Sequence, residues 1–128
     1  MQRRIDLIPV TEKDFSKQVE DLLNLFGWRW CHFRPARTKK GWRTALSGYP
    51  GFLDYIAARD RLIIFELKSE NGKITKDQQE WLDALAACGQ EVYLWKPGDI
   101  ERIAEILSPQ HSEVARWDRP GEAVMDKG

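Results

Sequence analysis

The segment RLIIFELK, residues 61–68, constrains this chain more than any other. Leu62 and Ile64 fall on one face of an extended backbone and Ile63, Phe65 and Leu67 on the other. Both faces are apolar, which predicts a central β-strand covered on both sides. Glu66 and Lys68 then share the face of Leu62 and Ile64, so a carboxylate and an ammonium sit at the end of a buried strand. The preceding run, residues 52–58, is expected to form a hairpin with it through Arg59-Asp60-Arg61. With that three-residue loop Asp54 falls directly opposite Glu66 on the same face, whereas a two-residue turn would shift it by one.

Two carboxylates side by side in a low-dielectric setting repel unless a cation neutralises them or one is protonated. A divalent metal does this well. Two carboxylate oxygens, a strand carbonyl and several waters suit Mg²⁺, a hard cation that keeps part of its hydration shell. Lys68 then stands where it can orient or deprotonate a water, or stabilise charge on a phosphate oxygen. The competing reading is structural, with Glu66 and Lys68 as a strand-end ion pair and Asp54 as the start of a strand.

At 128 residues, 42% hydrophobic and 31% charged, the chain is expected to fold as one soluble globular domain. No apolar run is long enough to span a bilayer and residues 1–10 lack a sustained apolar core, so a cytoplasmic location is expected. Cys31 and Cys88 predict reduced thiols, with Cys88 packing in a helix interface. Cys31-His32 lacks the second half of a structural zinc set. A net charge of zero hides an asymmetry: residues 22–53 contain no acid but carry Arg29, Arg34, Arg37, Lys39, Lys40 and Arg43. A basic loop leading into an acidic site is what cleavage of a polyanion requires, because phosphate contacts hold the substrate while the metal does the chemistry. The plainer alternative is a solvated loop. Trp42 and Tyr49 are available for stacking on unpaired bases, and Phe33 is expected to pack.

Local signals order the rest. Residues 11–26 predict a helix, with Phe15, Val19, Leu22, Leu23 and Phe26 as its apolar stripe, Thr11 as N-cap with Asp14 at the capping-box position, and Gly27 as its stop. Strands are expected at 28–33, 52–58, 62–68 and 91–95, and helices at 75–88 and 99–107. The order αβββαβα implies three antiparallel strands and a right-handed helical crossover that returns a parallel fourth. Residues 109–128 are expected to form a poorly ordered tail beyond a domain spanning 1–108. At about 100° per residue Glu12 lies roughly 35° from the centre of the first helix's stripe and Glu20 more than about 100° away, so Glu12 is expected to face inward and Glu20 outward. Gln78 also falls on an apolar stripe, with Trp81, Leu82 and Leu85, where Thr75 and Gln78 can form a capping box.

Pro50-Gly51-Phe52-Leu53-Asp54, Glu66-Leu67-Lys68, Gly72, Gln78-Gln79-Glu80-Trp81-Leu82 and Glu91-Val92-Tyr93-Leu94-Trp95 together resemble the VRR-NUC family of the PD-(D/E)XK nuclease superfamily, in particular its small stand-alone, phage-type members. One position departs: Leu53 stands where the family has a proline, which is not a ligand. The resemblance implies an α/β, restriction-endonuclease-like αβββαβ core with a mixed four-stranded sheet. It implies a DNA endonuclease that hydrolyses phosphodiesters with Mg²⁺ or Mn²⁺. Asp54, Glu66 and the Leu67 carbonyl would hold the metal, Lys68 would position the attacking water, Glu12 would support the metal from the first helix, and Gln78 would approach the site. His32, Arg34, Arg37, Lys39, Lys40 and Arg43 are the candidate DNA contacts. The resemblance further implies homodimers acting on branched DNA such as four-way junctions, with no membrane association and no small-molecule cofactor. The alternative is a DNA-binding module that keeps the fold with weak or absent catalysis.

Overall fold

The computed structural model describes residues 10–34, 36–39, 41–43 and 46–109. Helix α1 (Glu12–Leu25) starts where Thr11 Oγ1 accepts a hydrogen bond from the Asp14 amide at 3.0 Å. It stops at Gly27, whose φ of 80° is left-handed, and the Trp28 amide turns back to the Leu23 carbonyl at 2.8 Å. Strands β1 (Arg29–His32), β4 (Tyr55–Ala58), β5 (Leu62–Leu67) and β6 (Glu91–Trp95) form one four-stranded sheet in the order β1-β4-β5-β6. The first three are antiparallel, and helix α2 (Lys76–Ala87) returns the chain so that β6 runs parallel to β5. A short 3₁₀ turn (Pro97–Asp99) leads into α3 (Ile100–Leu107). The core is therefore α/β with the order αβββαβ expected from the strand and helix signals. No described helix is long and apolar enough to cross a membrane.

Alternation along β5 divides its side chains. Ile63, Phe65 and Leu67 join Phe15, Val19 and Leu23 of α1, Tyr55 and Ala57 of β4, Trp95 of β6 and Ile103, Ile106 and Leu107 of α3 in one buried cluster. Ile64 and Glu66 belong to the other face and are also buried. Helix α2 packs along β6 and none of its own side chains is fully buried. The β4–β5 register pairs Ala58 with Leu62 and Tyr55 with Phe65, as the three-residue loop requires. At the loop end of this hairpin, Arg59 donates to the Phe26 and Leu107 carbonyls at 2.8 and 3.1 Å, and Arg61 to the Ile106 carbonyl at 3.1 Å. Cations thus meet the negative ends of α1 and α3.

Two features differ from the sequence expectation. The basic run is not a plain loop: β2 (Ala36–Thr38) and β3 (Gly41–Arg43) pair as a two-stranded antiparallel ribbon, with Arg37 opposite Trp42. Strands of three residues are too short for alternation to reveal them. Cys88 is exposed at the C-cap of α2 rather than packed between helices. The tail expected at 109–128 lies, apart from Pro109, outside the described residues.

Candidate active site

The hairpin carries Asp54 and Glu66 to the end opposite Arg59–Arg61. Asp54 is fixed from both sides: its amide donates to Glu66 Oε1 at 3.0 Å, and its carbonyl accepts from the Phe33 amide at 2.7 Å. The loop before it docks on α2. Trp81 Nε1 donates to the Pro50 carbonyl at 3.0 Å, and Gly51 (φ 87°) lies so close to the helix that a Cβ would stand 2.5 Å from Asp77 Cβ. Beyond β5 the parallel ladder continues, because the Lys68 amide donates to the Trp95 carbonyl at 3.0 Å. Lys68 Nζ reaches Glu66 Oε2 at 3.4 Å.

Glu66 is 1% exposed, the sole charged residue in the core among the described residues. Burial first, and the Asp54 charge second, push its carboxyl up to about 7, against the Asp54 amide and Lys68. Asp54 is also raised, by burial, with His32, Lys68 and its contact with Glu66 opposing. Two neighbouring carboxyls, both raised by burial, form a site short of positive charge. No group of three or more His, Cys, Asp or Glu side chains among the described residues is placed to hold a metal unaided. Two carboxylates and a strand carbonyl, with water completing the shell, fit Mg²⁺ or Mn²⁺ rather than a metal that needs a full protein cage.

The first helix presents its glutamates the other way round from the helical-wheel expectation. Glu12 is exposed in the first turn, whereas Glu20 is partly buried and accepts the Tyr55 hydroxyl at 2.6 Å. The wheel treats the helix as uniformly covered, but its buried residues begin at Phe15, so the turn bearing Glu12 projects past the core. Glu12 still lines a cleft of about 520 Å³ with Ser16, Lys17, Glu20, His32 and Arg34. His32 stands in this cleft close enough to Asp54 for each to shift the other, and its pKa is lowered, by burial above all. Sequence reasoning missed Glu20 and Tyr55. The available signal was Tyr55 itself, since a tyrosine on the buried face of a strand needs an acceptor for its hydroxyl.

Gln78 is occupied as a cap: its Oε1 accepts the Thr75 amide at 3.0 Å and its amide donates to Thr75 Oγ1 at 3.1 Å. Arg34 and Lys39 are exposed, Arg37 and Arg43 sit at register positions in the ribbon, and Lys40 lies outside the described residues. Phe33, 46% exposed, meets the edge of Phe52, which in turn meets Trp81. Compared with known proteins, the chain matches no family model, no curated protein and no solved structure.

Proposed function

We propose that the chain is a metal-dependent DNA endonuclease of the VRR-NUC type, hydrolysing phosphodiester bonds. The observation that carries this reading is the Asp54–Glu66 pair at the mouth of a buried strand, with the Asp54 amide on one Glu66 oxygen and Lys68 on the other. Asp54, Glu66 and the Leu67 carbonyl would hold Mg²⁺ or Mn²⁺, with Glu12 on the cleft rim as a further carboxylate. The metal supplies Lewis acidity toward the phosphate and a more acidic water. Lys68 donates hydrogen bonds only, so it serves a phosphate oxygen or the oxygen of the attacking water.

Arg34 and the basic ribbon, through Arg37, Lys39, Lys40 and Arg43, would hold the phosphate backbone. The ribbon leaves the sheet after His32 and returns before Asp54, so connectivity joins it to the end of the sheet that bears the acids. A domain with one acidic pair cuts one strand per encounter. Cutting two strands of a branched substrate, such as a four-way junction, calls for a twofold homodimer. The test is an assay on linear, flapped and four-way DNA, with and without Mg²⁺ or Mn²⁺. The reading expects cleavage only with metal, and most rapidly on the branched forms. Tight binding without cleavage at any ion concentration would instead mark a DNA-binding module on the same fold.

A further inference from the structure

The α1 side of this site holds a polar group that the proposed metal chemistry leaves unused. His32, Tyr55, Phe65 and Tyr93 are successive register partners across β1, β4, β5 and β6. The His32 ring lies nearly parallel on Tyr55 (centroids 4.1 Å, 11°), and Tyr55 on Phe65 (4.9 Å, 6°). The imidazole is thus the polar end of a stacked row anchored in the core, and packing fixes its plane. Its Nδ1 edge is buried and has no hydrogen-bond partner in this geometry. The group facing that edge is Glu20, whose Oε2 stands 3.6 Å away while accepting the Tyr55 hydroxyl at 2.6 Å.

A lone pair on Nδ1 would face an anionic oxygen, which is repulsive. A proton on Nδ1 is attracted, and a small closing movement makes the bond. Burial lowers the His32 pKa, so the ring is neutral near neutral pH and carries one proton. Placing that proton on Nδ1 leaves the lone pair on Nε2. The two acids beside it, Asp54 and Glu66, are assigned to the metal on the nuclease reading, which leaves Nε2 as an acceptor that reading does not use. Lys68 only donates, and both Glu66 oxygens are already engaged, by the Asp54 amide and by Lys68. A water attacking phosphorus needs an acceptor for one of its hydrogens as well as a partner for its oxygen.

We propose that Glu20 and Tyr55 are positioning residues that hold neutral His32 as its Nδ1–H tautomer, so that Nε2 accepts a hydrogen bond from the attacking water. The role toward water rests on the nuclease reading, whereas the tautomer does not. The chain has two histidines, His32 and His111, so long-range ¹H–¹⁵N spectra of the labelled, metal-free protein separate them readily. The wild type is expected to show His32 protonated on Nδ1. In Glu20→Gln, where an amide N–H can face the ring, the proton is expected to move to Nε2. The cleavage rate at saturating DNA should then fall about ten- to a hundredfold, with KM unchanged. Tyr55→Phe keeps the stack and is expected to give a smaller fall in the same direction. In His32→Ala the Glu20→Gln change should cost nothing further. A wild-type His32 carrying its proton on Nε2 overturns the proposal without any variant having to fold, and so does a Glu20→Gln protein with unchanged tautomer and rate. If the wild type cleaves no DNA with any divalent ion, the nuclease reading and the water role fall together, and the spectra still decide whether Glu20 sets the tautomer.

Discussion

At Glu66 the physical conflict is sharpest, because a carboxylate is buried beside a second one. Its folded pKa of about 7 lies above the ordinary 4.5. A raised carboxyl contributes full stability below the unfolded value and loses it as pH rises through the folded value. The metal-free protein should therefore lose up to about 3 kcal/mol between roughly pH 4.5 and 7 from this group. Glu66→Gln should flatten that part of the Tm–pH profile and raise Tm near pH 8. Mg²⁺ should stabilise the wild type and leave the variant unmoved. Identical profiles for the two proteins would contradict the assignment. Removing either acid should disable chemistry more than binding: Asp54→Ala and Glu66→Ala are expected to abolish cleavage while keeping DNA affinity near wild type. Lys68→Ala should lose rate and keep metal affinity. At this scale the sequence read well where alternation decided the matter, since the three-residue loop put Asp54 opposite Glu66. It read poorly for Glu12 and Glu20, because a wheel carries the angle of a residue and not the place where the sheet beneath the helix ends.

Among the elements, the loop at 49–53 and the basic ribbon set how the site is presented. Gly51 has a left-handed φ and a Cβ would collide with the Asp77 backbone carbon at 2.9 Å. Gly51→Ala should destabilise the fold by about 1–3 kcal/mol and reduce cleavage, because the same loop delivers Asp54. Gly48, also left-handed but with nothing within 4 Å, serves as the comparison. Its alanine variant bears the backbone strain alone and should leave the rate unchanged. An equal loss of rate in both would mean that the contact with α2 does not position Asp54. Replacing Arg37, Lys39 and Lys40 together by alanine should weaken DNA binding and make log affinity less steep in log salt, by up to about 0.9 per lost contact on duplex DNA. Cleavage at saturating DNA should persist. An unchanged salt slope would return the ribbon to the status of a solvated surface element. The long elements were legible because caps, stops and stripes agreed at each of them: Thr11 and Gly27 around α1, and Thr75 with Gln78 at α2. The ribbon was not, since strands of three residues are too short for alternation to show.

For the whole molecule, the sequence order of helices and strands was enough to give the mixed sheet, because a hairpin-joined antiparallel run followed by a helix leaves few ways to return a fourth strand. What pattern alone did not supply was the depth of the site, which depends on how α1 lies over β1 and β5. On the proposed reading, the Asp54–Glu66 pair holds one divalent ion for phosphodiester cleavage. Titrating Mn²⁺ into wild type, Asp54→Ala and Glu66→Ala, and following bound ion by electron paramagnetic resonance beside cleavage of the best DNA substrate, tests it most directly. One site per chain is expected in the wild type, lost in both variants, with cleavage rising in step with occupancy. Mn²⁺ binding that survives in both variants, or cleavage that survives its loss, would contradict it.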